Sequence, residues 1–199
     1  QLLAHCNGDR AAEQYLTLLA QAEREAGKQL CRPVMIHAQL LGLDQLERVK
    51  TLGVIPSFFV AHVYHWGEIH VKNFGLDRAG RISPAGSALA WGIPFTFHQD
   101  SPVIPPDMLE TLWCACVRRT KTGRVLGAEE RIPVEAALRA VTQTAALQYG
   151  LERELGTLRP GKRADFVLLS GDPLRTPPEE LKKLQVERTI QRGRTIWSR

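Results

Sequence analysis

The 199-residue sequence has no hydrophobic run long enough to cross a membrane, and its first residues show neither the charged nor the apolar segment of a signal peptide. Its four cysteines match neither a zinc ribbon nor a dense disulfide framework, which predicts free thiols in a reducing cytoplasm. Gly-x-Gly-x-x-Gly, Walker and Gly-x-Ser-x-Gly motifs are absent, so nucleotide-binding and serine-hydrolase functions have no support. The chain does not begin with Met, and we expect it to be a truncated part of a longer protein.

The composition is that of a globular protein with a buried core, because 44% of the residues are hydrophobic and 24% are charged. The net charge of +5 comes entirely from residues 101–199. Basic residues there alternate with acidic ones and form no stripe interleaved with aromatic residues. We therefore expect neither a nucleic-acid partner nor a membrane partner.

Residues 1–150 contain four short apolar runs that are followed by helical patterns. The predicted strands are 1–5, 33–36, 54–60 and 93–98, and the predicted helices are 10–26, 44–52, 83–92, 106–120 and 133–149. Asp9 is expected to cap the first helix and Asp44 to open a capping box for the second. Residues 61–81 are predicted to be a long polar and aromatic loop.

This alternation predicts an α/β fold with a parallel sheet, because a parallel return needs a long crossover connection. A complete eight-fold barrel needs about 250 residues, so this region could form only half of one. An open doubly wound sheet is the competing architecture. Residues 151–199 are turn-rich with short β-type runs, which predicts a small β appendage.

Three side chains with metal-binding chemistry lie where predicted strands end: His5, His37 and Asp100. Imidazoles suit zinc or a similar ion, and a carboxylate can bind a metal or accept a proton from water. His98 precedes Asp100 by two residues and is predicted either to support the site from behind or to pack in the core. Each histidine taken alone is more often structural, and only their shared position favours a site.

The predicted loop supplies candidate substrate contacts at His62, His65 and Trp66, although ordinary loop packing explains them equally well. His70 is expected to be exposed. A thiol-based enzyme using Cys6 or Cys31 has little support, because neither cysteine lies in an activating pattern.

Four ordered motifs resemble those of the YtcJ-like metal-dependent amidohydrolases, amidohydrolase family 3, with the AepA-like exoenzyme regulatory branch as the most similar group. They are the segments 5–11 (HCNGDRA), 32–39 (RPVMIHAQ), 53–57 (GVIPS) and 97–103 (FHQDSPV). Residues 156–167 resemble the stretch by which such chains return to a small β-sandwich. The resemblance implies strands five to eight of a TIM-type (β/α)8 amidohydrolase barrel over residues 1–150, with β-sandwich strands over residues 151–199.

The resemblance also implies roles. His5 and His37 are metal ligands, the divalent metal is most often zinc, and Asp100 is the general base that assists hydrolysis of a small amide-like substrate. The family's His-x-His pair and bridging lysine are missing, and Ile36 stands where related chains often have Glu. We therefore expect weak metal binding and little hydrolysis by the isolated chain, and self-association through the open half-barrel. A non-catalytic binding or regulatory protein is the alternative function.

Overall fold

A computed structural model describes all residues, 1–199. Its first part alternates strands and helices, with short 3-10 turns at Leu43–Gln45 and Ala128–Glu130. The elements in chain order are β1 (Leu3–Cys6), α1 (Asp9–Ala26), β2 (Val34–His37), α2 (Leu46–Thr51), β3 (Ile55–Phe58), α3 (His62–Gly80), α4 (Ala85–Ala90), β4 (Thr96–Phe97), α5 (Met108–Val117), α6 (Val134–Val141) and α7 (Gln143–Gln148).

The first four strands form one parallel sheet in the order β1-β2-β3-β4. The register pairs Leu3 with Val34, Val34 with Ile55, and Ser57 with Thr96. Strands that follow one another in the chain are therefore neighbours in the sheet, and all four carboxyl ends meet at one edge. This arrangement confirms the predicted parallel α/β architecture and brings the predicted strand-end side chains to a common place.

The remaining residues form a three-stranded antiparallel sheet, in the order β5 (Phe166–Leu169), β6 (Val186–Gln191) and β7 (Arg194–Ser198). A 3-10 turn, Pro178–Lys183, lies between β5 and β6 in the chain and packs against the first part of the molecule. Leu181 of the turn is fully buried in the main core, and the Lys182 ammonium lies 4.0 Å from the centre of the Trp113 ring on α5. The predicted β appendage is thus fastened by an apolar contact and a cation–π contact.

The main core lies between the parallel sheet and its helices. Strands β2 and β3 are buried along most of their length, which explains why they read as continuous apolar runs. Leu16 of α1, Val49 of α2 and Leu112 of α5 pack into the same cluster. No helix is both long and apolar enough to span a membrane.

Several predicted boundaries were wrong. The first strand starts at Leu3 and ends at Cys6, and Gly8 rather than Asp9 occupies the N-cap of α1, so Asp9 lies in the first helical turn. Asp44 does not cap α2. It lies in the Leu43–Gln45 turn, where the Gln45 side chain accepts a hydrogen bond from the Gly42 amide. The predicted helix 133–149 is two helices, because Thr142 has non-helical dihedral angles between α6 and α7.

The largest correction concerns residues 61–81, which are helical and not a loop. Helix α3 covers His62–Gly80 and is interrupted at Gly75, whose φ of 77° lies in the region that glycine adopts without strain. The segment has little amphipathic periodicity and three glycines, so its local pattern favours no helix. Buried contacts through Val63, Gly67 and Ala79 stabilise it instead.

Candidate metal site

The candidate site lies at the carboxyl edge of the parallel sheet. His5 lies near the end of β1, His37 ends β2, and Asp100 follows β4. His37 and Asp100 adopt left-handed backbone conformations, with φ of 71° and 52°. Such conformations are strained for residues other than glycine and cluster where the surrounding structure fixes a functional side chain.

Three side chains at this edge offer donor atoms to one point. The ligating atoms of His37, His98 and Asp100 lie within 4.8 Å of one another, and His98 Nε2 is 3.2 Å from His37 Nδ1. Two imidazoles and a carboxylate are a donor set that suits zinc and similar divalent ions. His5 stands beside this group, since its ring centre is 4.7 Å from that of His37 in an edge-on arrangement. The residues present therefore fit a divalent cation.

The Ser57 side chain contacts the His98 ring on the side away from His37, and no sequence pattern indicated this contact. The Ser57 hydroxyl on β3 lies 3.0 Å from His98 Nδ1, which leaves Nε2 of the same ring free to face His37. A hydrogen bond of this kind fixes the ring orientation of a metal-binding histidine. The structure thus places His98 among the donor atoms themselves, whereas the sequence suggested a supporting or packing position.

Burial keeps these imidazoles neutral. It lowers the pKa of His37, although the nearby Asp100 carboxylate opposes that shift. It also lowers the pKa of His98, to about 4, and the neighbouring His37 adds to the effect. A neutral imidazole offers its lone pair to a metal without first losing a proton, so the site is prepared for a cation near neutral pH.

One of the predicted substrate contacts, His62, borders the donor group, and a second, Trp66, packs against it. His62 begins α3, and its ring centre lies 6.5 Å from that of His37 and 4.9 Å from that of Trp66. Phe59 packs edge-on against His62 at 4.6 Å. These aromatic rings form one wall beside the metal-binding atoms, and a wall of this kind accommodates a planar or apolar group.

The other two histidines of α3 have partners that the sequence did not indicate. His65 Nε2 lies 2.8 Å from a carboxylate oxygen of Glu110 on α5, so its side chain is engaged with a neighbouring helix. The expectation that His70 is exposed was wrong. Its ring is partly buried, and its Nε2 contacts both Gln39, at 3.0 Å, and His62, at 3.2 Å. The spacing of four residues from 62 through 66 to 70 would have indicated this helical face, had the segment been predicted as a helix.

Comparison with known proteins agrees with this geometry. The Bacillus subtilis protein YtcJ, which carries an amidohydrolase name, is 26% identical over 100% of this chain and 38% of its own length. The N-substituted formamide deformylase of Arthrobacter pascens is 30% identical over 79% of this chain and 29% of its own length. The crystal structure of a metal-dependent hydrolase from Pyrococcus furiosus superposes with a TM-score of 0.70 at 29% identity, covering 87% of this chain and 34% of the other.

The chain therefore spans 29% to 38% of the length of these relatives. Its strands and helices correspond to part of the barrel in the solved metal-dependent hydrolases. The family model described as "Amidohydrolase family" matches residues 1–197, almost the whole sequence. On this match and on the relatives that share it, the chain belongs to the amidohydrolase family.

Proposed function

We propose that this chain forms part of a zinc-dependent hydrolase that cleaves carbon–nitrogen bonds other than peptide bonds. The observation that carries the proposal is the convergence of His37, His98 and Asp100 at the carboxyl edge of the sheet, with His5 beside them. Family membership supports the reaction class, because the matching relatives include an amidohydrolase and a formamide deformylase. Zinc suits the mixed imidazole and carboxylate donors better than a hard cation such as magnesium.

In this proposal the histidines bind the metal and Asp100 transfers the proton. When bound, zinc would supply Lewis acidity that lowers the pKa of water and polarises a carbonyl group. His37 and His98 would hold the ion through neutral imidazoles, with the Asp100 carboxylate as the third converging donor and His5 beside them as a further nitrogen donor. Asp100 is exposed, whereas His37 is buried and His98 is partly buried. Asp100 would accept the proton of the attacking water and return it to the leaving nitrogen.

The substrate class follows from the wall beside these residues. We propose a small amide-like molecule, with N-substituted formamides as the first candidates because a relative that is 30% identical carries that activity in its name. His62 and Trp66 would contact the substrate, since the His62 ring borders the donor group and the Trp66 ring packs against His62. His65 would contact the substrate at the edge of this aromatic wall, while its Nε2 remains paired with Glu110.

The proposal extends to the behaviour of these 199 residues on their own. A catalytic zinc site needs three protein ligands and an accessible position, and the three donors that converge here include Asp100, which would therefore serve both as a ligand and as the base. We therefore infer slow turnover by the chain in isolation. Because all four cysteines are free thiols, we also infer a reducing cytoplasmic location.

Formate release from an N-substituted formamide, measured with and without added zinc, tests the proposed activity. We expect zinc-dependent turnover that falls by about 10²-fold or more in Asp100→Asn, since the amide cannot act as the base. Asp172→Asn is the matched control, because Asp172 caps an exposed turn in the C-terminal region and should leave turnover unchanged. Zinc-dependent turnover that survives Asp100→Asn would contradict the role of Asp100. Tight substrate binding without any turnover would favour the non-catalytic alternative.

A further inference from the structure

A second histidine pair lies next to the metal-binding atoms and has no part in holding the ion. His62 Nδ1 is 3.2 Å from His70 Nε2, and the side-chain amide of Gln39 reaches the same nitrogen at 3.0 Å. The other nitrogen of His70, Nδ1, is buried and has no hydrogen-bond partner. His70 also stacks on Phe74, with ring centres 5.6 Å apart and planes inclined by 10°, so its ring is fixed in place.

These contacts determine where the protons lie. A neutral imidazole carries one proton, on one of its two nitrogens. A buried N–H without an acceptor is rarer and costlier than a buried lone pair without a donor, so the proton of His70 belongs on Nε2 and not on the unpartnered Nδ1. His70 Nε2 then donates, and His62 Nδ1 must accept.

The same reasoning places the proton of His62 on its Nε2. The Gln39 atom that lies 3.0 Å from His70 Nε2 is placed as the side-chain nitrogen. The oxygen and nitrogen of an amide are assigned from the hydrogen-bond network, and this proton assignment requires the two to be exchanged, so that the amide oxygen of Gln39 shares the His70 Nε2–H with His62 Nδ1. In the opposite arrangement, with the Gln39 nitrogen donating, His70 would bury an N–H that has no acceptor. The two imidazoles thus form a hydrogen-bond relay. His70 Nε2–H donates to His62 Nδ1, and His62 Nε2–H remains available to donate to a ligand.

The surroundings of His62 keep it neutral. Burial lowers its pKa to about 3, and the other imidazoles around it add to that shift; they belong to His70, His37, His98 and His65. An imidazole that stays neutral at physiological pH offers a hydrogen-bond donor without bringing a second positive charge next to a bound cation. Its ring lies 6.5 Å from that of His37, which places His62 directly beside the metal-binding atoms.

We propose that His70 is a positioning residue that holds the proton of His62 on Nε2, and that His62 donates this N–H to the carbonyl oxygen of the amide-like substrate. The inference rests on the proposed function and deepens it. Donors aimed at an oxygen that gains negative charge during amide hydrolysis stabilise the transition state. His70 itself needs no contact with the substrate.

The tautomer of His62 can be measured on the 199-residue chain without any ligand or turnover. Long-range ¹H–¹⁵N spectra of the histidine rings should show His62 with its proton on Nε2. In His70→Phe, which keeps a planar ring against Phe74 but has no N–H, we expect His62 to become a mixture of tautomers. His70→Gln restores a donor and should restore the single tautomer of His62. His65→Gln should leave the tautomer of His62 as it is in the unmodified chain.

A wild-type His62 with its proton on Nδ1, or a tautomer that stays the same in His70→Phe, would overturn the positioning role. The donor role is tested by adding methylphosphonate, a tetrahedral anion, to the zinc-loaded chain. We expect the His62 Hε2 resonance to move downfield and the phosphonate to bind about tenfold more weakly to His62→Phe. Shifts at His37 and His98 with none at His62 would overturn the donor role. If none of His37, His98 and His62 shifts, the result would count against the proposed metal site. The tautomer measurement without ligand would still test whether His70 positions His62.

Discussion

At the residue scale, the candidate site depends on imidazoles that remain neutral inside the protein. His37 and His98 lie where their lone pairs are available to a cation, and the Ser57 hydroxyl fixes which nitrogen of His98 faces the site. The sequence predicted His5, His37 and Asp100 from the places where strands end. It could not predict Ser57 or Gln39, because their relation to the histidines depends on side-chain directions that no local pattern encodes.

The neutral state of His62 makes the stability of the metal-free protein depend on pH. Its folded pKa of about 3 lies below the usual value near 6.5, so the unfolded chain binds a proton that the folded chain refuses between these values. The contribution of His62 to the unfolding free energy is therefore complete above about pH 6.5 and is lost as the pH falls toward 3. We expect His62 to contribute a loss of about 2 kcal/mol between pH 6.5 and pH 4.5.

Urea unfolding at a series of pH values checks this prediction, with His62→Gln as the comparison. The variant should show a shallower loss of unfolding free energy below pH 6.5, because the carboxylates and the other histidines titrate in both proteins and only the contribution of His62 is removed. Parallel curves for the two proteins would mean that His62 is protonated as easily when folded as when unfolded.

At the element scale, the structure shows why some elements were predictable and one was not. Strands β2 and β3 are buried on both faces, so their sequences are continuous apolar runs that identify them at once. Helix α3 depends on tertiary contacts, and its glycines and mixed composition resemble those of a loop. The error mattered for function, because a loop gives no reason to bring His62 and His70 together.

Arg118, at the end of α5, joins three separate segments. It is fully buried, and its guanidinium donates to the carbonyl oxygens of Leu126, Ser83, Ile82 and Gly80. Burial lowers its pKa to about 10, which leaves it charged at neutral pH. Its donors satisfy the carbonyls that follow α3 and those of the turn after α5. This arginine therefore fixes the far end of the helix that carries the aromatic wall.

Arg118→Met should lower the unfolding free energy by about 3 kcal/mol or more, since several buried carbonyls lose their donor at once. Arg119→Met is the matched control. Arg119 is exposed and donates only to Gly123, so its loss should cost less than about 1 kcal/mol. Equal destabilisation of the two variants in chemical denaturation would show that the buried contacts of Arg118 contribute little.

At the scale of the whole molecule, the parallel sheet has two open edges, β1 and β4. Leu2 and Leu3 along the β1 edge are 41% and 42% exposed, which is unusual for strand residues of a parallel sheet. Unpaired strand edges with apolar side chains favour association with another chain. The exposed β1 edge is therefore the surface through which we expect the chain to associate.

We propose that the chain self-associates through this edge. Light scattering after gel filtration should show a mass above the 22.2 kDa of one chain, increasing with concentration. Leu3→Lys places a charge on the edge and should shift the mass toward that of one chain. Leu174→Lys, at an exposed position in the C-terminal region, should not. A single-chain mass at high concentration for the unmodified protein would contradict the proposal.

The central claim, that His37, His98 and Asp100 hold a divalent ion, is tested most directly by zinc content. The chain is loaded with zinc, desalted and analysed by elemental mass spectrometry, beside His37→Ala, His98→Ala and Asp100→Ala. His65→Ala is the control, because His65 pairs with Glu110 and lies outside the donor group. The sequence alone suggested weak metal binding, but the three converging donors lead us to predict close to one zinc per chain for the unmodified protein and the control, and a clear loss in each of the other three. Zinc retained equally in all of them, or absent from the unmodified protein, would contradict the account.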